Sequence, residues 1–161
     1  MRKLTEAAIL ALERHDVTRE AITSATVTFL ENKYQQAFVD CDVRVALDQI
    51  LAKDEVADIL LTGIFLDEQA GLLADDHPLK SRLARDANGH NVDEILAIGI
   101  TQQVSAAATV HYGLLDDLKP GIIGEINDRQ DCVNVYLDDL VAALIAATGM
   151  HYLNICGGNQ F

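Results

Sequence analysis

The sequence predicts a single all-α domain, a helical bundle around a buried central helix, and three observations lead to this prediction. Half of the 161 residues are hydrophobic, and a chain rich in alanine, leucine, isoleucine and acidic residues contains only two prolines. Apolar residues recur at helical spacing along most of the chain. The segment from Cys132 to Thr148 is apolar on nearly every side, which is typical of a helix in the middle of a protein.

The first two predicted helices form an amphipathic hairpin within residues 1–38. The first covers residues 3 to 14, where apolar residues follow a helical spacing. The second opens after Thr18, a side chain that favours the N-cap position, and runs to about Asn32. Neither helix carries residues that suggest chemistry, so we expect the hairpin to pack on the remainder of the domain.

Two more helices complete the first half. One is predicted to start at Asp40 or Asp42 and to end at the Lys53–Asp54 junction. The next, from Val56 to Leu73, is densely apolar and is a second candidate for burial. Thr62–Gly63 in its middle indicates either close packing or a bend.

The second half of the chain alternates short and long helices. We predict a short helix from Leu79 to about Ala87 and a long one from Asn91 to Gly113. A loop from Leu114 to Pro120 and a short helix or turn from Ile122 to about Asn127 follow. Asp131 is placed to cap the central helix.

Composition limits the function. The formal net charge of −13 argues against nucleic acid as a partner, because such binding depends on lysine and arginine at phosphates. It also disfavours electrostatic docking on anionic lipid. We predict no transmembrane span, because Asp138 and Asp139 interrupt the most apolar segment. Three isolated cysteines are typical of reduced thiols, so we expect a cytoplasmic protein with at most peripheral membrane contact.

Adjacent acidic residues are the most informative chemical pattern. Four pairs fall in or beside the apolar half of the chain: Asp67–Glu68, Asp93–Glu94, Asp116–Asp117 and Asp138–Asp139. Clustered carboxylates are the ligands that a hard cation such as Mg²⁺ requires. The last pair is predicted to lie halfway along the buried helix, where an unpaired carboxylate is costly, and this favours a site over an interhelical salt bridge.

The other three pairs also have purely structural interpretations. Glu94 could form a capping box with Asn91 at the start of a helix. Asp116–Asp117 could be a solvated turn, and Asp67–Glu68 could face water near a helix end. For each of these three pairs, the sequence leaves open whether the residues form a site or have a purely structural role.

Basic residues and histidines supply further candidates. Lys119 lies on a loop stiffened by Pro120 and is the basic residue best placed to meet a phosphate, although an isolated lysine is usually a surface residue. Arg129 is a similar candidate. His90 and His111 flank the predicted long helix and could act as bases or ligands.

The segment Y-G-L-L-D-D-L-K-P-G-I-I, followed by Y-L-D-D-L-V-A-A-L-I-A-A, resembles the phosphatidylglycerophosphatase A family, which carries an Asp-x-x-Lys-Pro loop and then an Asp-Asp helix. The upstream N-V-D-E-I-L-A-I-G-I-T is similar to the family's Asp-Glu segment. The likeness covers roughly residues 55 to 148 and is greatest to the soluble, YutG-like branch, whose members are all-helical bundles.

The resemblance implies Mg²⁺-dependent (or Mn²⁺-dependent) hydrolysis of phosphatidylglycerophosphate to phosphatidylglycerol. Its motifs correspond to metal ligands at Asp93, Glu94, Asp138 and Asp139, and to catalytic residues at Asp116, Lys119 and Asp138. Lys119 would grip the phosphate of a phospholipid headgroup or a phosphorylated small molecule, and Asp116 would position Lys119 or the attacking water. A homo-oligomer, a dimer or tetramer, is also expected. The alternative is a non-enzymatic helical oligomer that binds a small ligand or protein partner and uses the acids as salt-bridge or assembly elements.

Overall fold

The computed structural model describes residues 3–83 and 91–157, and within these ranges it contains nine α-helices and no β-strand. The all-α prediction is therefore confirmed. In chain order the helices are α1 (Lys3–Arg14), α2 (Arg19–Tyr34), α3 (Asp40–Leu51), α4 (Asp54–Ala70), α5 (Lys80–Leu83), α6 (Val92–Thr101), α7 (Ala106–Leu118), α8 (Ile122–Asn127) and α9 (Leu137–Gly157).

Helix α9 is the central helix. Every residue from Leu137 to Met150 is buried, and α2, α3, α4, α6, α7 and α8 all pack against it. By length and composition alone, Leu137–Cys156 could cross a membrane, but 67% of its most apolar 18-residue window is buried inside the protein. The segment is therefore enclosed by the other helices, as the sequence predicts for a core helix.

The boundaries of this helix differ from the prediction of 132–148. Residues 132–134 are a bend and irregular chain, and 135–136 form a turn. The helix begins at Leu137 and continues through the segment after Gly149, which was not predicted to be helical. The cause of the late start is a carboxylate from α4: the amide N–H groups of Tyr136 and Leu137 donate to Asp67. Amides that bond to a side chain cannot also donate to carbonyls four residues upstream, so the helix cannot extend backward.

The N-terminal helices follow the sequence closely. Thr18 caps α2 by accepting a hydrogen bond from the Ala21 amide, and α3 starts at Asp40. Helix α1 packs mainly on α4, and α2 packs on α9 and α3. The two predicted hairpin helices therefore cover different parts of the core.

The single long helix predicted from Asn91 to Gly113 is wrong, because α6 and α7 are separate. The chain leaves the helical conformation after Thr101, and Ser105 caps α7 by accepting from the Ala108 amide. Helix α7 then continues through the predicted loop to Leu118, and Lys119 ends it in a left-handed conformation with φ of 40°. The predicted helix from Leu79 to about Ala87 is seen as α5, and its remainder lies outside the described residues.

Gly63 of α4 marks a close approach to α9, one of the two interpretations that the sequence allowed. A Cβ atom at Gly63 would lie 2.6 Å from Leu140 Cδ1 and 3.3 Å from Tyr136 Cβ. Only a residue without a side chain fits this helix crossing without displacement of its neighbours.

We expect Gly63→Ala to lower the free energy of unfolding by about 1–3 kcal/mol, because the added methyl overpacks the α4–α9 contact. Gly113→Ala is the matched control, since Gly113 lies within α7 and a Cβ there meets nothing within 4 Å. Alanine at that position should raise stability by about 0.5–1 kcal/mol through helix propensity. Urea denaturation followed by circular dichroism measures both, and equal stabilisation by the two variants would contradict the close approach.

Candidate functional site

The candidate site lies at the N-terminus of α9, where the C-terminal end of α7 meets it. Asp138 and Asp139 occupy the first turn of α9 and are each 5% exposed. They are therefore buried as predicted, but they are not halfway along the helix. At a helix N-terminus the unpaired amide groups and the helix dipole favour negative charge, which offsets part of the cost of burying it.

Lys119 connects the two helices. Its Nζ donates to Asp116 Oδ1 at 2.8 Å and to Asp138 Oδ2 at 2.7 Å, and it lies 3.8 Å from Asp139 Oδ1. Asp116 lies in the last turn of α7 and is half-buried, so the predicted loop is wrong here and the solvated-turn interpretation does not hold for Asp116. The left-handed backbone at Lys119 ends α7 at this point.

Tyr112 belongs to the site, although sequence reasoning missed it. Its hydroxyl donates to Asp139 Oδ2 at 3.0 Å, and the residue is 4% exposed. Burial, followed by the charge of Asp139, raises the pKa of Tyr112 and keeps the hydroxyl protonated. A signal was available, since Tyr112 precedes Asp116 by four residues, the spacing that places two side chains on one face of a helix.

The three carboxylates of Asp116, Asp138 and Asp139 form a compact cluster in which one oxygen from each lies within 4.8 Å of the others. Burial, followed by the neighbouring carboxylates, raises the pKa of Asp139 to about 9. Burial also raises the pKa of Asp138, and Lys119 opposes that shift. Burial lowers the pKa of Lys119, but the hydrogen bonds that Lys119 donates to Asp116 and Asp138 outweigh this effect. The pKa of Lys119 is therefore raised above its usual range.

This donor set fits a divalent cation. Once all three carboxylates are ionised, they and the single ammonium carry an excess of two negative charges, which is the charge that Mg²⁺ or Mn²⁺ would neutralise. All three ligand groups are carboxylates, and hard cations prefer oxygen ligands. Burial and the neighbouring carboxylates raise the pKa of Asp139 although Lys119 opposes the shift, and a shift of this kind is common at functional sites.

Asp67 holds the start of α9 in place. It is 4% exposed, and its carboxylate accepts hydrogen bonds from the Tyr136 and Leu137 amides at 3.1 and 3.0 Å. Burial raises the pKa of Asp67 to about 7, and these backbone hydrogen bonds oppose the shift. The water-facing interpretation is thus wrong for Asp67, whereas Glu68 is partly exposed and pairs with Arg14.

Asp93 and Glu94 lie in the first turn of α6, outside the compact cluster of three carboxylates. Asp93 is buried and accepts a hydrogen bond from the Glu94 amide at 2.9 Å, and Glu94 is exposed. The Asn91 side chain makes no capping hydrogen bond, so the capping box is not formed. Burial and then the charge of Asp93 raise the pKa of Tyr136 to about 12. The charge of Glu94 contributes to the raised pKa of Tyr112. The pair therefore lies beside the cluster without joining it.

The remaining sequence candidates have other surroundings. Arg129 donates to the His15 carbonyl at 2.8 Å, which links the segment after α8 to the end of α1. His111 is buried against the edge of the Phe29 ring, and burial lowers its pKa. His90 lies outside the described residues.

Comparison with known proteins agrees with this geometry. The family model described as phosphatidylglycerophosphatase A matches residues 22–154, a range that contains every residue of the site. The chain belongs to this family. YutG of Bacillus subtilis is 36% identical over 123 residues, which cover 75% of this chain and 74% of that protein.

Solved structures share the whole fold of this phosphatidylglycerophosphatase A family member. The low temperature requirement C protein of Listeria monocytogenes superposes with a TM-score of 0.89 at 31% identity, covering 98% of this chain and 99% of that one. YpjQ of Bacillus subtilis gives a TM-score of 0.90 at 28% identity, with 98% of each chain covered. The arrangement around α9 therefore recurs in related proteins.

We expect metal affinity to rise with pH. A carboxylate must lose its proton to bind a cation, and Asp139 has a pKa of about 9 in the metal-free cluster. Between pH 6.5 and 9, Mn²⁺ affinity should therefore increase by up to about tenfold per pH unit, as calorimetric titration can measure. Asp139→Asn should weaken binding by roughly 100-fold at pH 9 and reduce this dependence to the smaller part that Asp138 contributes. Asp117→Asn is the control, because Asp117 is exposed and outside the cluster. Affinity that is unchanged by Asp139→Asn would place the metal elsewhere.

Loss of the Asp67 carboxylate should loosen the start of α9. Asp67→Ala leaves the Tyr136 and Leu137 amides buried without their acceptor and should lower the free energy of unfolding by about 1–3 kcal/mol. Asp67→Asn should cost less, since an amide oxygen still accepts. Glu68→Ala, which removes only partly exposed contacts with Arg14 and His15, should cost less than about 1 kcal/mol. Denaturation curves of equal midpoint for Asp67→Ala and Glu68→Ala would show that Asp67 does not support the helix.

Proposed function

We propose that the protein is a Mg²⁺-dependent or Mn²⁺-dependent phosphomonoester hydrolase that converts phosphatidylglycerophosphate to phosphatidylglycerol and phosphate. The observation that carries the proposal is the contact of Lys119 with a cluster of three carboxylates, two of them buried. Membership of the phosphatidylglycerophosphatase A family supports the same reaction.

Asp116, Asp138 and Asp139 would hold the cation, because their oxygens already lie within reach of one ion. When bound, a divalent cation neutralises phosphoryl charge and lowers the pKa of a coordinated water. Asp93 and Glu94 extend the negative charge on the α6 side, where an Mg²⁺ ion that keeps several waters would find further acceptors. Tyr112 fixes the orientation of the Asp139 carboxylate through its hydrogen bond.

Lys119 would pair with the phosphate. Its raised pKa keeps the ammonium charged, and a charged donor stabilises the phosphoryl oxygens as negative charge develops in the transition state. Asp116, at 2.8 Å, holds the lysine in position. In the reaction the oxygen of water attacks phosphorus, the bond from phosphorus to the glycerol oxygen breaks, and a proton from the water ends on the leaving alcohol. The site thus supplies positioning and charge, which are what phosphoryl transfer requires.

The proposal extends to location and assembly. A cytoplasmic protein with peripheral membrane contact is supported by the enclosure of α9, the one described helix apolar enough to cross a bilayer. Self-association as a dimer or tetramer is supported by exposed apolar side chains on α6, where Val92 and Ile95 are 44% and 64% exposed. Sedimentation velocity tests the assembly, and a monomer at micromolar concentration would contradict it.

We expect the purified protein to release phosphate from phosphatidylglycerophosphate in the presence of Mg²⁺ or Mn²⁺ and to stop when EDTA is added. Lys119→Met should lower kcat by about 100- to 1000-fold, because it removes the charge that faces the phosphate. Lys53→Met, a partly buried lysine at the start of α4, is the matched control and should keep wild-type activity. Folding of each variant is checked by circular dichroism. No phosphate release by folded wild-type protein with either metal would overturn the proposal.

A further inference from the structure

An apolar groove runs between α2 and the C-terminal half of α7, and α8 closes one end. Its volume is about 580 Å³, within the range of about 300–1000 Å³ that proteins use for small ligands. Ala25 and Phe29 of α2 form one wall, and Leu114 and Leu118 of α7 form the other. Ile145 of α9 also lines it.

The groove adjoins the candidate phosphate site. Pro120 and Gly121 line it, directly after Lys119, and Leu115 lines it directly before Asp116. On α9, Ile145 follows Asp138 by seven residues, which is about two helical turns, or about 10 Å, along the same face. Neither Lys119 nor the carboxylate cluster lines the groove itself, but Pro120 and Gly121, which do, follow Lys119 directly, so the groove begins beside the site at the turn that joins α7 to α8.

The lining of the groove indicates what it can bind. Charged residues contribute only Lys33 and Glu125 among the described residues that line it. On the α7 wall, Leu114 and Leu118 are 41% and 64% exposed, so large aliphatic side chains are left in contact with water. Ser24, Thr28 and Asn32 add polar groups on the α2 side, but most of the lining is apolar, and such a surface favours a hydrocarbon.

We propose that this groove binds the hydrocarbon chain of an amphiphilic phosphomonoester whose phosphate lies at Lys119. The inference rests on the proposed function and deepens it, since it assigns the apolar part of the substrate to named residues of this chain. The occupant follows from the apolar lining and from the position of the groove: Ile145 lies about 10 Å along α9 from Asp138, so the polar part of a phospholipid with its phosphate at Lys119 would span this distance and its hydrocarbon chain would reach the groove. The chain would then be held by the protein during the reaction and not by a bilayer.

The binding test uses alkyl phosphonates, whose carbon–phosphorus bond resists hydrolysis, at concentrations below micelle formation and in the presence of Mg²⁺. Burial of each additional methylene should improve affinity by about three- to fourfold, so dodecyl phosphonate should bind on the order of 100-fold more tightly than octyl phosphonate. Butyl phosphonate reports on the phosphate site with little contribution from the groove. Calorimetric titration gives the three affinities.

Two groove variants and one matched control test where the hydrocarbon chain binds. Ala25→Phe fills the groove from α2, and Leu114→Asn makes the α7 wall polar; both should reduce the difference between dodecyl and octyl phosphonate to less than about tenfold and leave butyl phosphonate binding unchanged. Val110→Asn alters the same helix at an apolar residue that is 72% exposed and outside the groove, and should behave as wild type. Thermal melts confirm that each variant is folded.

The outcomes separate this inference from the proposed function. Phosphate release without any chain-length dependence of binding would overturn the groove assignment alone. Tight binding of dodecyl phosphonate that the groove variants abolish, with no phosphate release from any phosphomonoester, would overturn the proposed function alone. If Ala25→Phe and Leu114→Asn instead dissociate an oligomer in sedimentation velocity and leave phosphonate binding unchanged, the groove is a surface between copies of this chain and the inference is wrong.

Discussion

The structure depends on one constraint, the placement of negative charge at the buried N-terminus of the central helix. Asp138 and Asp139 lie where almost every neighbouring position is apolar, and buried carboxylates are unstable unless charge or hydrogen bonds compensate them. Three features meet this requirement. The helix end supplies its dipole, Lys119 supplies an ammonium, and Tyr112 supplies a neutral donor. Each comes from a different part of the backbone, so the site forms only when α7 and α9 are packed.

Much of the fold follows from local sequence. Helix starts at Thr18 and Asp40, the junction before α4 and the short α8 are all properties of short segments, and the apolar composition of the last helix identifies it as the core. The break between α6 and α7 was missed because the apolar pattern continues through it. A serine cap at Ser105, together with a hydrogen bond between Thr101 and Thr109, overrides that pattern.

In the candidate site, too, short motifs predict some features, whereas contacts between distant parts of the chain decide others. The motifs locate Asp116, Lys119 and Asp138 because these residues lie close together in two short segments. The sequence does not show that α9 starts at Leu137, because the group that fixes its start is Asp67, seventy residues upstream. The wrong boundary matters for Asp138 and Asp139, because an acid in the middle of a helix gains nothing from the helix dipole. In the first turn of α9 the helix end itself helps to stabilise their negative charge.

The proposed function gives Lys119 a second role, at the phosphate, that a single side-chain geometry cannot combine with its pairing to the carboxylates. With three carboxylates as its neighbours, it is the cation that compensates the buried charge, and its ammonium is engaged by those carboxylates. A divalent ion among the same carboxylates would compensate that charge more completely, and the lysine would then be free to turn toward a phosphate. Asp116 could follow this change, since it is the partly exposed member of the cluster and shares the end of α7 with the lysine. Under the proposed function, metal binding and phosphate binding would thus be coupled through one side chain, because a metal would take over the structural role of Lys119.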